Sequence, residues 1–145
     1  MARIANFKFK CHPLRLPPRV LLVDENGKDL EYFTMLLGRS GYAVRPCTNY
    51  KEAEDWLEHK NFDVVIVDQG SPAFEAHRLV ALVLARNRQT PVVVLTRCLE
   101  MESYLDAMQL GAVDYLENPV TPAEFDYTVT TYCQPRQGEV SAQAS

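Results

Sequence analysis

Short β-branched runs alternate with helix-spaced apolar positions along most of the chain. The runs cover residues 20–23, 42–44, 64–67 and 92–95, with a weaker one at 113–116. Three of them are apolar throughout, the pattern of strands buried on both faces of a parallel sheet rather than half-solvated antiparallel strands. The segments that follow read as helices. Leu30, Phe33 and Leu37 share one stripe, with Asn26 as N-cap, Asp29 at the third helical position and Gly41 after the last turn. Asn49 and Glu52 form a second capping pair, ahead of Ala53, Trp56 and Leu57. Ala76, Leu79, Val80, Val83 and Leu84 mark a third helix, and Met101, Leu105 and Met108, closed by Gly111, a fourth. A fifth opens at Thr121-Pro122-Ala123-Glu124, where an N-cap hydroxyl, Pro at N1 and Glu at N3 agree, and continues through Phe125, Val129 and Tyr132.

Five successive strand–helix units require right-handed crossovers, so the expected fold class is α/β, a doubly wound five-stranded parallel sheet covered on both sides. Residues 19–133 form that domain. Residues 1–18, with Pro13, Pro17 and Pro18, read as a basic arm, and residues 134–145 as a polar, flexible C-terminal tail.

At 145 residues and 16.5 kDa the chain is long enough for one such core. Its longest apolar run, residues 79–85, is far short of a membrane span, and the N-terminus lacks the apolar core of a secretory signal. A cytoplasmic location is expected. Net charge is −4, but Arg3, Lys8, Lys10, Arg15 and Arg19 place +5 in residues 1–19, leaving −9 on the rest. An acidic body repels phosphates, so direct nucleic-acid binding is not expected. Cys11, Cys47, Cys98 and Cys133 are widely spaced, as are His12, His59 and His77, and neither set has transition-metal spacing; the cysteines read as buried thiols.

In a doubly wound sheet, ligands bind beyond the carboxyl ends of the strands. That rule selects Asp24 and Glu25 after the first strand, Asp68 after the third, Thr96 after the fourth and Asn118 after the fifth. Three carboxylates meeting in one cleft repel one another by several kcal/mol, about 4 for a pair at 4 Å and an effective dielectric near 20. A hard cation such as Mg2+, raised pKa values or a nearby base must compensate. With Mg2+, such a cluster can hold a phosphoryl group while Asp68 attacks it.

Over residues 19–132 the chain resembles the CheY-like receiver domain of bacterial two-component response regulators. The resemblance rests on Leu22-Val23-Asp24-Glu25, on Val65-Ile66-Val67-Asp68 with Pro72 four residues on, on Val94-Leu95-Thr96, and on Gly111-Ala112 leading to Tyr115 and Asn118-Pro119. It implies strand order 2-1-3-4-5, Asp68 as phosphoacceptor, and a Mg2+ site made by Asp24, Glu25, Asp68 and the Gly70 backbone carbonyl. It further implies that Thr96 contacts the phosphoryl group and that Tyr115 changes rotamer to remodel the face of the fourth helix, fifth strand and fifth helix. Three positions depart from the family pattern. Asn118 stands where a lysine is usual, Glu25 where an aspartate is usual, and Arg97 where the residue after Thr96 is usually small. Arg97 either plugs the pocket by pairing with Asp68 or Glu25, or points to solvent.

The expected function is that of a phosphoaccepting receiver rather than an enzyme. Its partners would be a histidine kinase or phosphotransfer protein upstream and, through the signalling face, a downstream protein or a homodimer. The alternative is a pseudo-receiver that binds partners without phosphorylation. A metal-dependent phosphatase would need a DxD where Asp24-Glu25-Asn26 stands, and no P-loop or Ser/His/Asp pattern is present. The chain after Tyr132 is too short for an effector, so output is expected through another protein, unless the chain is part of a longer regulator.

Overall fold

A computed structural model describes residues 16–71 and 73–133. The segments read as arm (up to residue 15) and tail, together with Pro72, lie outside the described residues. Five strands alternate with five helices: β1 (Arg19–Val23), α1 (Gly27–Arg39), β2 (Ala43–Cys47), α2 (Tyr50–His59), β3 (Val64–Asp68), α3 (His77–Arg86), β4 (Val92–Thr96), α4 (Met101–Leu110), β5 (Asp114–Glu117) and α5 (Pro122–Tyr132). All strand pairs are parallel and the order is β2-β1-β3-β4-β5, as expected for a doubly wound sheet.

Strand alternation sorts the core into two layers. Leu21, Val23, Val65, Val67, Val92 and Val94 pack with residues of α2, α3 and α4 on one face of the sheet. Val20, Leu22, Val64, Ile66, Val93 and Leu95 pack with α1 and α5 on the other, where Phe33 and Phe125 stack at 4.6 Å. Burial on both faces explains why β3 and β4 read as unbroken apolar runs.

The three expected caps form: Asn26 accepts from the Asp29 N–H at 3.0 Å, Asn49 from Glu52 at 2.8 Å and Thr121 from Glu124 at 3.0 Å. Gly111 ends α4 in the left-handed conformation.

Three strands are one residue longer than the sequence reading, β1 beginning at Arg19 and β3 and β4 ending on Asp68 and Thr96, and the other two differ further. β2 is not residues 42–44 but runs on through Arg45, Pro46 and Cys47, because an edge strand pairs on one side only and tolerates exposed polar positions and proline. β5 sits one residue later than expected, set by its pairing of Val93 with Asp114 and Thr96 with Glu117. Of the thiols, Cys47 and Cys133 are buried, but Cys98 is exposed because it lies in the loop after β4 rather than in a packed element. Among the described residues, no helix is long and apolar enough to cross a membrane.

Candidate functional site

Register places the site. Val23 of β1 lies beside Val67 of β3, so Asp24 and Asp68, the next residue of each strand line, emerge side by side at the carboxyl edge. Thr96 pairs with Glu117, which sets Arg97 and Asn118 next to each other one step further out. The Asn118 N–H donates to the Thr96 carbonyl at 2.7 Å, and the Asn118–Pro119 peptide is cis.

Asp24 is 1% exposed. Its Oδ1 accepts the Asn26 N–H at 2.9 Å, while Oδ2 is buried and has no hydrogen-bond partner. Burial, reinforced by the Asp68 and Asp29 charges, pushes this carboxyl up to about 6 against the pull of the Asn26 N–H and Arg97. Asp68 is 8% exposed; its Oδ2 accepts the Gly70 N–H at 3.0 Å, and its carbonyl accepts the Tyr50 hydroxyl at 2.8 Å. Burial raises its pKa as well, with Gly70 and Arg97 opposing and Asp29 and Glu25 adding to the rise. Two adjacent buried carboxylates, one with an orphan oxygen, store unfavourable charge that a cation can relieve.

Glu25 does not join them as a third buried acid. Its side chain is exposed, and among the described residues no three acidic, His or Cys side chains gather at metal-binding distance. The reason is the repulsion already present: the exposed rim keeps a third charge hydrated. Mg2+ is ordinarily held by one or two carboxylates with several waters, so the Asp24–Asp68 pair, with its unpartnered Oδ2, still fits that ion. Gly70 follows with φ of +90°, and a Cβ there would fall 2.3 Å from Glu75 Oε1, so the turn that presents its backbone beside Asp68 requires glycine.

Arg97 pairs with neither Asp68 nor Glu25. Its side chain is 55% exposed, and the guanidinium engages the carboxylate of Asp29, in the first turn of α1. Asp29 is the partner because pairing at the surface avoids desolvating the guanidinium beside the buried carboxylates. Asp29, Tyr32, Phe33, Arg97, Asn118, Pro119 and Val120 line a cavity of about 380 Å³, and Asn118 Nδ2 is buried without a partner. The Thr96 hydroxyl donates to the Cys98 carbonyl at 2.9 Å and accepts the Cys98 N–H at 3.1 Å, folding the β4–α4 loop over the strand end.

Tyr115 is buried and its hydroxyl donates to Gln69 Oε1, while Tyr104 of α4 meets its ring edge-on at 5.5 Å. Gln69 was not singled out by the sequence reading. It is 1% exposed, and its Nε2 donates to the Ser71 carbonyl at 3.2 Å and to Ser103 Oγ of α4 at 3.4 Å. The residue after Asp68 thus ties the loop to both β5 and α4. A glutamine directly after an apolar strand ending in Asp was the available signal, since a buried amide needs partners.

The chain belongs to the response regulator receiver domain family of two-component systems, whose model matches residues 20–130. The response regulator protein PilR of Pseudomonas aeruginosa is 30% identical over 121 residues, covering 83% of this chain and 27% of PilR. The alginate biosynthesis transcriptional regulatory protein AlgB of the same organism is 29% identical over 119 residues, covering 82% of this chain and 26% of AlgB. The chain spans about a quarter of the length of these curated relatives. Among solved structures, a CheY-like receiver domain protein from Methanospirillum hungatei superposes with a TM-score of 0.75 at 21% identity, covering 79% of this chain and 92% of that one. A Burkholderia pseudomallei response regulator with a phosphorylated aspartic acid, calcium ion and citrate gives 0.70 at 24% identity, covering 88% and 73%.

Proposed function

We propose that this domain accepts a phosphoryl group on Asp68 from a histidine kinase or phosphotransfer protein and relays the change to another protein. The observation that carries this reading is the buried Asp24–Asp68 pair at the carboxyl edge, with one Asp24 oxygen unpartnered. Carboxylates that only cap helices stay hydrated; these two are desolvated at a cost that binding can recover.

An Asp68 carboxylate oxygen attacks the phosphorus. The new O–P bond forms as the bond to the donor nitrogen or oxygen breaks, and that atom leaves with the electron pair. Asp24 and Asp68, with the Gly70 carbonyl, would hold Mg2+, which would supply the positive charge that this anionic centre lacks. The Gly70 N–H holds the Asp68 carboxylate, and the Thr96 hydroxyl, at the next strand end, turns from Cys98 to the new phosphoryl oxygens in this reading. The domain acts as a relay, not as an enzyme turning over a small molecule, and works in the cytoplasm alongside its donor. Output runs through α4, β5 and α5 to a downstream protein or a second copy of the chain. Exposed Met101, Leu105 and Tyr127 on α4 and α5 support that face as an interface.

Incubation with acetyl phosphate and Mg2+, followed by intact mass, tests the reading. A gain of one phosphoryl group in the wild type, lost in Asp68→Asn and on chelation, is expected. A folded wild type that takes no adduct, or an adduct that survives Asp68→Asn, overturns it and leaves the phosphorylation-independent module.

A further inference from the structure

We propose that Arg97 and Asn118 form an oxyanion subsite for the phosphoryl group on Asp68, and that Asp29 occupies the guanidinium until the phosphoryl group displaces it. The inference rests on the phosphoacceptor reading and names the residues that complete that site.

A phosphoryl group on Asp68 brings about two negative charges into a region that already holds Asp24, Glu25 and Asp29. Arg97 is tethered one residue beyond Thr96, at the end of the strand beside β3. Its present partner is a single carboxylate at the surface, an ion pair of small net worth. A phosphoryl group offers the same guanidinium more charge and a two-pronged acceptor, which the arginine fork matches. Exchange from Asp29 to the phosphoryl group is therefore downhill once Asp68 is modified.

The second element is Asn118. Its Nδ2 is buried in the wall of the cavity it shares with Arg97 and Asp29, and no acceptor meets it. A buried N–H donor with no acceptor is costly, and an incoming oxyanion satisfies it. Arg97 supplies charge and Asn118 supplies a directed donor, from adjacent strand ends set by the β4–β5 register. Release of Asp29 from Arg97 also frees the first turn of α1 from the β4–α4 loop, so the exchange reports phosphorylation at the α1 surface.

Arg97→Ala and Asp29→Asn both delete the same ion pair, so a merely structural role would move both variants in one direction. The subsite requires opposite directions. Beryllofluoride serves as the probe, with bound fluorine read by 19F NMR at saturating Mg2+, beside acyl phosphate labelling by acetyl phosphate. Arg97→Ala is expected to weaken beryllofluoride about tenfold or more, the size of a lost charge-assisted hydrogen bond. Asp29→Asn tightens it, and Arg97→Lys restores part of the Arg97→Ala loss. Asn118→Lys placed in the Arg97→Ala background recovers affinity by returning the missing charge. A wild type that binds normally, with Arg97→Ala and Asp29→Asn both unchanged or both weaker, overturns the subsite alone. A wild type that takes neither beryllofluoride nor phosphoryl overturns the phosphoacceptor reading and the subsite with it.

Discussion

Replacing Asp24 with asparagine should stabilise the metal-free domain, and by an amount that depends on pH. The carboxyl of Asp24 is pushed up to about 6 from an ordinary value near 3.8, chiefly by burial. That displacement corresponds to about 3 kcal/mol at 1.36 kcal/mol for each pH unit. Below about pH 3.8 the group is protonated in both folded and unfolded chains and contributes nothing. Between 3.8 and 6 the folded chain holds the extra proton, so stability falls as pH rises, and above 6 the full penalty is present. Asp68, also raised, adds to the fall in the same direction. Asparagine carries no charge at any pH and keeps an oxygen for the Asn26 N–H. The Asp24→Asn minus wild-type difference in unfolding free energy should therefore climb by about 2.5 kcal/mol between about pH 4 and pH 7.5. Urea unfolding in EDTA, followed by circular dichroism and Trp56 fluorescence, measures it. Taking a difference removes the titration of groups common to both proteins. Added Mg2+ should close most of the gap at neutral pH, since an ion at a hundredfold above its Kd stabilises the wild type by about 2.7 kcal/mol and binds the variant less. A difference that stays flat across this pH range would show that Asp24 is not a strained carboxylate, and the cation-site reasoning would fail with it.

Three further outcomes follow from local geometry. Gly70→Ala should lose about 1–2 kcal/mol in urea unfolding and slow phosphoryl labelling, because φ of +90° disfavours a side chain and the new Cβ drives Glu75 off the Ser71 N–H. Tyr115→Phe strands the buried Gln69 oxygen and should lower stability by about 1–3 kcal/mol, read by the same unfolding assay. Phe125→Ala removes the ring stacked on Phe33 beneath α1 and α5 and should lose about 3–5 kcal/mol without changing Mg2+ affinity, measured on the folded fraction by calorimetric titration.

Much of the fold was legible because burial on both faces leaves an unmistakable pattern: β1, β3 and β4 are continuous apolar runs, and Asn26, Asn49 and Thr121 cap their helices as their spacing demands. β2 was misread for the opposite reason. Its length comes from pairing with β1, and the Arg45-Pro46 pair in its second half carries no apolar signal of its own. Asp24 and Asp68 could be found from strand ends alone, since topology fixes which edge carries ligands.

Partner choice among charges was not legible, and Arg97 shows why. Its sequence neighbour Thr96 and the acids at the nearby strand ends leave both an inward pairing and a solvent-facing side chain open, whereas its actual partner Asp29 lies 68 residues away on the first turn of α1. The choice follows from hydration. An arginine beside both a buried and a half-exposed carboxylate takes the exposed one, because the buried pair demands that the guanidinium also give up its water. A phosphoryl group on Asp68 would change that balance by adding charge there without burying it further. The ion pair that contradicts the inward reading at rest is thus the state from which an inward arginine would be released, and the opposite responses expected of Arg97→Ala and Asp29→Asn separate that sequence of events from a passive surface contact.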